Sequence, residues 1–233
     1  MKKKILFFED LGMKGYKETW EYQKILFNNL IQKKVKNRLF QKEKPGHLLF
    51  VEHPHVYTIG KNGKNKHLLV SSDFLKKIDA GFYQTDRGGD ITYHGPGQLV
   101  AYPILNMDYF FTDIHKYLRL LEEVIIHFLL RNYGIKGERE KGKTGVWLIK
   151  NGISRKICAI GIRMSRWVTM HGFALNVNTD LRYFDHIIPC GIFNKEVTSL
   201  KKELQNHISF SEVKHLVKKS FQEIFNVEFI HPL

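Results

Sequence analysis

The run Arg87-Gly88-Gly89-Asp90-Ile91-Thr92-Tyr93-His94-Gly95-Pro96-Gly97-Gln98 is the densest set of residues able to shape a binding pocket. Its glycines let backbone N–H groups approach a ligand closely, and Arg87, Thr92 and His94 add side-chain donors. The spacing fits neither a Walker A loop nor a GxGxxG fingerprint, so a nucleotide phosphate loop has no support. Taken alone, the glycine pairs are equally compatible with tight turns.

Two side chains elsewhere could carry covalent chemistry. Cys190 stands between Pro189 and Gly191 in a stretch of little periodicity, where a thiol would be accessible. A thiolate there could act as a nucleophile and carry a covalent intermediate. Lys156 falls on a predicted strand; its ammonium would favour a neighbouring thiolate, and its amine form could accept a proton. A lone cysteine is ordinarily a small buried apolar residue, and a strand lysine ordinarily protects an edge or faces water. Residue type by itself leaves both readings open. Cys158 competes as nucleophile, because strand alternation puts it on the face of Lys156, about 7 Å away. His94 and His171 could each orient a carbonyl or be structural.

The elements that must position these groups can be read from periodicity. Residues 5–8 form a first strand, and residues 16–40 a long amphipathic helix with Trp20, Ile25, Leu26, Leu30 and Val35 as its apolar positions. A strand over 47–52 is followed by a flexible basic loop over 57–66 and a short helix over 73–78 capped by Ser71 or Ser72. Strands over 82–85 and 99–105 flank the glycine-rich run. A helix over 113–133 is closed by Gly134. Strands over 144–149, 153–164 and 167–177 follow, the first two joined by a hairpin at Lys150-Asn151-Gly152. A loop over 182–192 and an amphipathic helix over 210–225 complete the chain. Hairpins argue for antiparallel neighbours, so the expected fold is α+β: a mixed, largely antiparallel sheet flanked by helices, with residues 1–233 as one catalytic domain.

Composition is that of an ordinary globular chain, 43% hydrophobic and 26% charged, which excludes disordered and collagenous classes. Two cysteines are too few for a secreted disulfide framework, and no Cys/His spacing suggests a metal site. The basic start is followed by only four apolar residues before Glu9 and Asp10, which argues against a signal peptide or membrane span and for the cytoplasm. A net charge of +14 favours acidic partners. Helix-turn-helix, zinc and RNP signatures are lacking, so nucleic acid is not expected.

The segment 87–98 resembles the signature of the lipoyl(octanoyl)transferase family, within the biotin/lipoate protein ligase superfamily. Four further motifs match in order: Thr144-Gly145-Val146-Trp147, Lys156-Ile157 with Gly161, His171-Gly172-Phe173-Ala174-Leu175-Asn176, and Pro189-Cys190-Gly191. The resemblance implies octanoyl transfer from acyl carrier protein to a lysine of lipoyl domains, those of 2-oxoacid dehydrogenases and the glycine cleavage H protein. It assigns Cys190 as the acyl-thioester residue and Lys156 as its proton partner. It draws the acyl pocket from Arg87, Gly88, Gly89, Asp90, Ile91, Thr92, Tyr93 and His94, from Ala159, Ile160 and Gly161, and from Gly172, Phe173 and Ala174. A monomer without metal or cofactor is the family expectation. An ATP-dependent lipoate or biotin ligase would share the fold, and an amidotransferase would take octanoyl from another lipoyl protein.

Overall fold

The computed structural model describes residues 3–36, 45–188 and 196–231. The main sheet is built from β1 (Lys4–Met13), β2 (Gly46–Glu52), β6 (Gln98–Leu105), β7 (Glu138–Glu140), β8 (Lys143–Lys150), β9 (Ile153–Ser165), β10 (Val168–Asn176) and β12 (Val227–Ile230), in the order β12-β1-β2-β6-β10-β9-β8-β7. Only β1 breaks the antiparallel run along that path, pairing parallel with both β12 and β2. The short β11 (Glu196–Val197) adds a parallel contact to β9. A smaller sheet has the order β4 (Gly81–Gln84), β3 (Val56–Ile59), β5 (Ile91–His94). This is the mixed α+β architecture expected from the hairpins.

Helices cover both faces of the large sheet. α1 (Tyr16–Lys36) lies over β6 and β10, while α3 (Ile114–Tyr133) and α5 (Phe210–Phe225) pack together on the other face. The larger core sits under α3 and α5, around Leu121, Ile125, Phe128, Ile157, Leu175 and Phe221. α3 begins at Asp113, whose side chain accepts the Lys116 N–H, and ends at Gly134 in the left-handed region, φ +64°. α5 spans the predicted range and is capped by Ser209. The short helices α2 (Ser72–Lys77) and α4 (Leu200–Leu204) start at Ser71 and Ser199.

Three expectations need correction. The loop over 57–66 opens in a strand: Tyr57, Thr58 and Ile59 belong to β3 and are buried between β4 and β5. A strand buried on both faces shows no alternation, so the neighbouring Gly60 and Asn62-Gly63 dominated the reading. The apolar stripe of α1 is also different. Ile25 and Val35 are 57% and 56% exposed, whereas Tyr16, Thr19, Gln23, Leu26, Phe27 and Leu30 face the sheet. Two polar residues lie in that stripe because each makes a hydrogen bond there, Thr19 to the Gly15 carbonyl and Gln23 Oε1 from the His171 N–H, which apolar counting cannot register. Residues 37–40 of the expected helix lie outside the described residues. Finally, β7 and β12 are added at the two edges of the sheet, each too short to show a period.

Candidate active site

The glycine-rich segment forms one wall of a cavity of about 500 Å³. It is held by backbone pairing on two sides. Gly88 donates to Ile162 O at 2.8 Å, fixing it on β9, while Gly60, Lys61 and Asn62 donate to the carbonyls of Asp90, Arg87 and Gly89. Gly161 of β9 and Gly172 of β10 stand opposite each other where the segment crosses the sheet. A Cβ at Gly161 would lie 3.0 Å from Gly88 O and 3.3 Å from Arg87 Cδ. A glycine at position 161 lets the wall sit this close, while a Cβ at Gly172 would meet the Ala101 carbonyl oxygen of β6 at 2.1 Å.

Arg87 braces that wall. Its Nη2 donates to Thr58 O at 2.6 Å and Thr58 Oγ1 at 3.0 Å, and its Nη1 to Gly88 O. The Asp90 carboxylate accepts the Ile91 N–H and bonds His67 Nδ1 at 2.6 Å, which holds the loop, and both Arg87 and Asp90 line the cavity. Gly88, Gly89, Ile91, Thr92 and His94 line the cavity, as do Ala159, Ile160, Gly161, Gly172, Phe173 and Ala174. Tyr93 does not. It points into the core of the small sheet, stacked on Tyr183 at 4.9 Å, with its hydroxyl 2.7 Å from His55 Nδ1.

Lys156 is half-buried and lines the same cavity, with Nζ 4.5 Å from the centre of the Trp147 ring. Its neighbour in the Thr144-Gly145-Val146-Trp147 motif, Gly145, has φ +121°. Any Cβ there would approach the Cys158 carbonyl to 2.6 Å and Lys156 Cε to 3.5 Å. Val146 pairs with Cys158 but Trp147 with Lys156, leaving Ile157 as the extra residue of a bulge. The bulge breaks the alternation that would have put Cys158 on the face of Lys156. Cys158 is fully buried in the core beneath α3, and burial pushes its thiol pKa up despite the opposing effect of Lys156. It is absent from the cavity lining and chemically inert.

Pro189, Cys190 and Gly191 lie outside the described residues. The chain on either side is anchored at the cavity. Ile188 donates to His67 O beside the glycine segment, and Glu196 and Val197 pair with Arg155 and Lys156. Phe184 and Val197 are both cavity residues. Asn176 secures the return of the chain by donating to Thr198 O at 2.9 Å while accepting from Gln98.

Two histidines occupy the inner wall in different settings. His94 is buried between Tyr16 and His53, with Nδ1 2.8 Å from Gln98 Oε1; burial and the neighbouring His53 pull its pKa down to about 3. It is neutral at pH 7. His171 is 1% exposed and adopts φ +61°, a left-handed conformation that a non-glycine residue holds at a cost of about 1–3 kcal/mol. Gln23 of α1 accepts its N–H, and Nε2 lies 2.7 Å from Asp86 Oδ1, with Arg163 paired to the other oxygen. Burial opposes ionisation of Asp86, yet the bond to His171 and the charge of Arg163 outweigh it and hold its pKa at about 2. Burial lowers the pKa of His171 itself, so at neutral pH the pair is a carboxylate and a neutral imidazole whose Nε2–H donates.

Sequence reasoning missed Tyr16, Tyr102, Ile114, Leu118 and Thr144 among the cavity residues. They come from four separate elements, α1, β6, α3 and β8, and apart from Thr144, which opens a quoted motif, they carry no local signature. Among the described residues no cluster of His, Cys, Asp or Glu could hold a metal ion, and no helix is long and apolar enough to cross a membrane.

A mixed sheet carrying a glycine-walled, mostly apolar cavity with a lysine set into its side is the framework of an acyl-handling catalytic domain. The model of the lipoyl protein ligase A/B catalytic domain matches residues 15–222, and the chain belongs to that family. The octanoyltransferase of Christiangramia forsetii is 59% identical over 223 residues, covering 94% of this chain and 95% of the relative. That of Flavobacterium psychrophilum is 56% identical, with 96% and 97% covered. In fold, the chain is similar to a bipartite lipoate protein ligase from Thermoplasma acidophilum, with a TM-score of 0.71 at 20% identity, covering 100% of this chain and 87% of that one.

Proposed function

We propose that this protein is an octanoyltransferase that moves an octanoyl group from acyl carrier protein to the ε-amine of a lysine on lipoyl domains, through a thioester on Cys190. The observation that carries this reading is Lys156 in the wall of a cavity that also presents a run of small and apolar residues: Ala159, Gly161, Gly172, Phe173 and Ala174. Such a slot accepts a straight chain, each buried methylene contributing about 0.8 kcal/mol. The octanoyltransferase relatives at more than 50% identity support the same substrate. Acceptors are the lipoyl domains of 2-oxoacid dehydrogenases and the H protein, and the chain works as a cytoplasmic monomer, a single catalytic unit without cofactor.

In the first step the Cys190 thiolate attacks the carrier thioester carbonyl. The bond to the phosphopantetheine sulfur breaks, and that sulfur leaves as a thiol after taking up a proton. In the second step the acceptor amine attacks the Cys190 thioester, the C–S bond breaks, and the nitrogen loses its proton to Lys156. Amide formation makes the transfer irreversible. Backbone N–H groups of the glycine segment supply oxyanion stabilisation worth about 3 kcal/mol per donor.

Incubation with octanoyl-acyl carrier protein in the absence of ATP tests this. Intact mass spectrometry is expected to show a hydroxylamine-labile octanoyl adduct that Cys190→Ser abolishes. An adduct that survives Cys190→Ser removes the nucleophile, and an absolute need for ATP replaces the transferase with a ligase. A donor that must be octanoylated H protein favours the amidotransferase.

A further inference from the structure

We infer that Glu122, remote from the cavity lining, is a positioning residue for Lys156, acting through the backbone of Gly145. The inference rests on the proton-transfer role proposed for Lys156 and adds the group that fixes the amine in place.

Glu122 lies on α3 with a fully buried side chain. A carboxylate in that setting must be paired to remain charged. One oxygen meets that need: Oε2 accepts from Arg119 Nη1 at 2.7 Å and from Arg139 Nε at 3.1 Å. The other oxygen has a different use. Oε1 accepts the backbone N–H of Gly145 at 3.0 Å, across the interface between α3 and β8.

That N–H sits where the sheet ladder is interrupted on both sides. Between β8 and β7 the register shifts from Glu138–Trp147 to Glu140–Lys143, and between β8 and β9 it shifts at the Ile157 bulge. Regular strand pairing therefore does not fix the backbone at Gly145, and the carboxylate takes the place of the absent ladder acceptor. Gly145 in turn carries the stem of Lys156. At φ +121° its bare Cα faces the Cys158 carbonyl and the Cδ and Cε of Lys156, which lie 3.7 and 3.5 Å from where a Cβ would stand. The amine then reaches the Trp147 ring two residues on. Displacing Gly145 moves the floor under Lys156.

Lys143 pairs with Glu140 at 2.9 Å, and Arg155 with Glu203 at 3.0 Å; Arg139 also reaches Glu123. The Thr198 N–H donates to the Lys156 carbonyl at 2.9 Å.

Two conservative variants separate positioning from ion pairing. Glu122→Gln keeps the length and a carbonyl acceptor for Gly145 while removing the charge. Glu122→Asp keeps the charge for Arg119 and Arg139 but withdraws from Gly145 by one methylene. Octanoyl transfer gives kcat and KM, and the pH profile of Lys156 modification by a small amine reagent, read by peptide mass spectrometry, reports the amine directly. Glu122→Asp is expected to lower kcat about tenfold with KM for the octanoyl carrier protein changed less than about twofold. It also displaces the Lys156 modification profile, while Glu122→Gln stays within about twofold of the unaltered protein on every measure. A Gln variant as impaired as the Asp variant, or more so, overturns the inference in favour of the ion pair, and so does an Asp variant indistinguishable from the starting protein. A Lys156→Ala protein that transfers octanoyl at the full rate removes the proton-transfer reading instead, while the Asp and Gln variants still differ in Lys156 modification.

Discussion

Gly161 and Gly172 face each other across the β9–β10 pair; the backbone of Gly88 rests on the space that the missing side chain of Gly161 leaves, while Gly172 lets the Ala101 backbone of β6 come close. The glycine segment can sit this close to β9 only because a glycine more than 70 positions later, Gly161, makes room for it. Gly161→Val is expected to lift Arg87 and Gly88 from β9, costing about 1–3 kcal/mol of stability. It should also raise the KM for the octanoyl carrier, as steady-state kinetics will check. A variant with wild-type KM and stability contradicts the packing argument. Gly172→Ala should be the more severe change, since its Cβ would lie 2.1 Å from the Ala101 carbonyl oxygen.

Cys158 and Cys190 should differ sharply in reactivity. At pH 7.5 and with the protein folded, iodoacetamide is expected to alkylate Cys190 alone, because burial keeps Cys158 protonated and inaccessible. Peptide mapping of Cys190→Ser before and after denaturation checks this. Rapid labelling of Cys158 in the folded variant would reinstate it as a candidate nucleophile.

The buried pair His53 and His94 sets a pH dependence of stability. Burial lowers His53 to about 4, and burial with its neighbour lowers His94 to about 3, from an ordinary 6.5. Between those limits the unfolded chain binds protons that the folded chain refuses, so stability is complete above about pH 6.5 and falls as the pH drops below it. Urea titrations at pH 7.5, 6 and 5 should show the midpoint falling, and His94→Gln should flatten the slope.

Asp86 contributes in a lower window. With its pKa depressed to about 2, its contribution is whole above the unfolded value near 4 and is lost as the pH falls toward 2, an effect of about 2 kcal/mol. Asp86→Asn frees His171 and Arg163 together. Transfer activity should fall about tenfold or more if His171 orients the substrate carbonyl. An unchanged kcat would make the pair purely structural.

Exposed Lys61, Lys64 and Lys66 sit on the segment that hydrogen-bonds the glycine wall. If they steer an acidic carrier toward the cavity, raising salt from 50 to 500 mM should increase KM for the carrier several-fold. Reversing all three charges should remove most of that salt dependence. A KM indifferent to salt argues against steering.

Local signals were strong wherever the chain's own geometry sufficed. The caps at Ser71, Asp113 and Gly134, the hairpin at Asn151-Gly152 and the bounds of α5 needed only nearest-neighbour chemistry. The strand at 56–59 was hidden because burial on both faces erases alternation, and the true face of α1 because Gln23 is buried for the sake of His171. The motifs identified the cavity lining well, since glycines and small residues at fixed positions are what a slot requires. Tyr93 shows the limit: inside the same motif, strand alternation turns it away from the cavity and toward His55.

The sequence by itself determined the fold class, the glycine-lined wall and the candidate chemistry of a thiol and an amine, because these depend on residue type and short-range order. Only the tertiary structure decided which cysteine Lys156 leaves behind, and which buried carboxylate holds the strand beneath it. Both turn on a bulge at Ile157 and a hydrogen bond from α3 to Gly145. A one-residue change of register reverses the faces of a strand, and no pattern along the chain records where packing will place it.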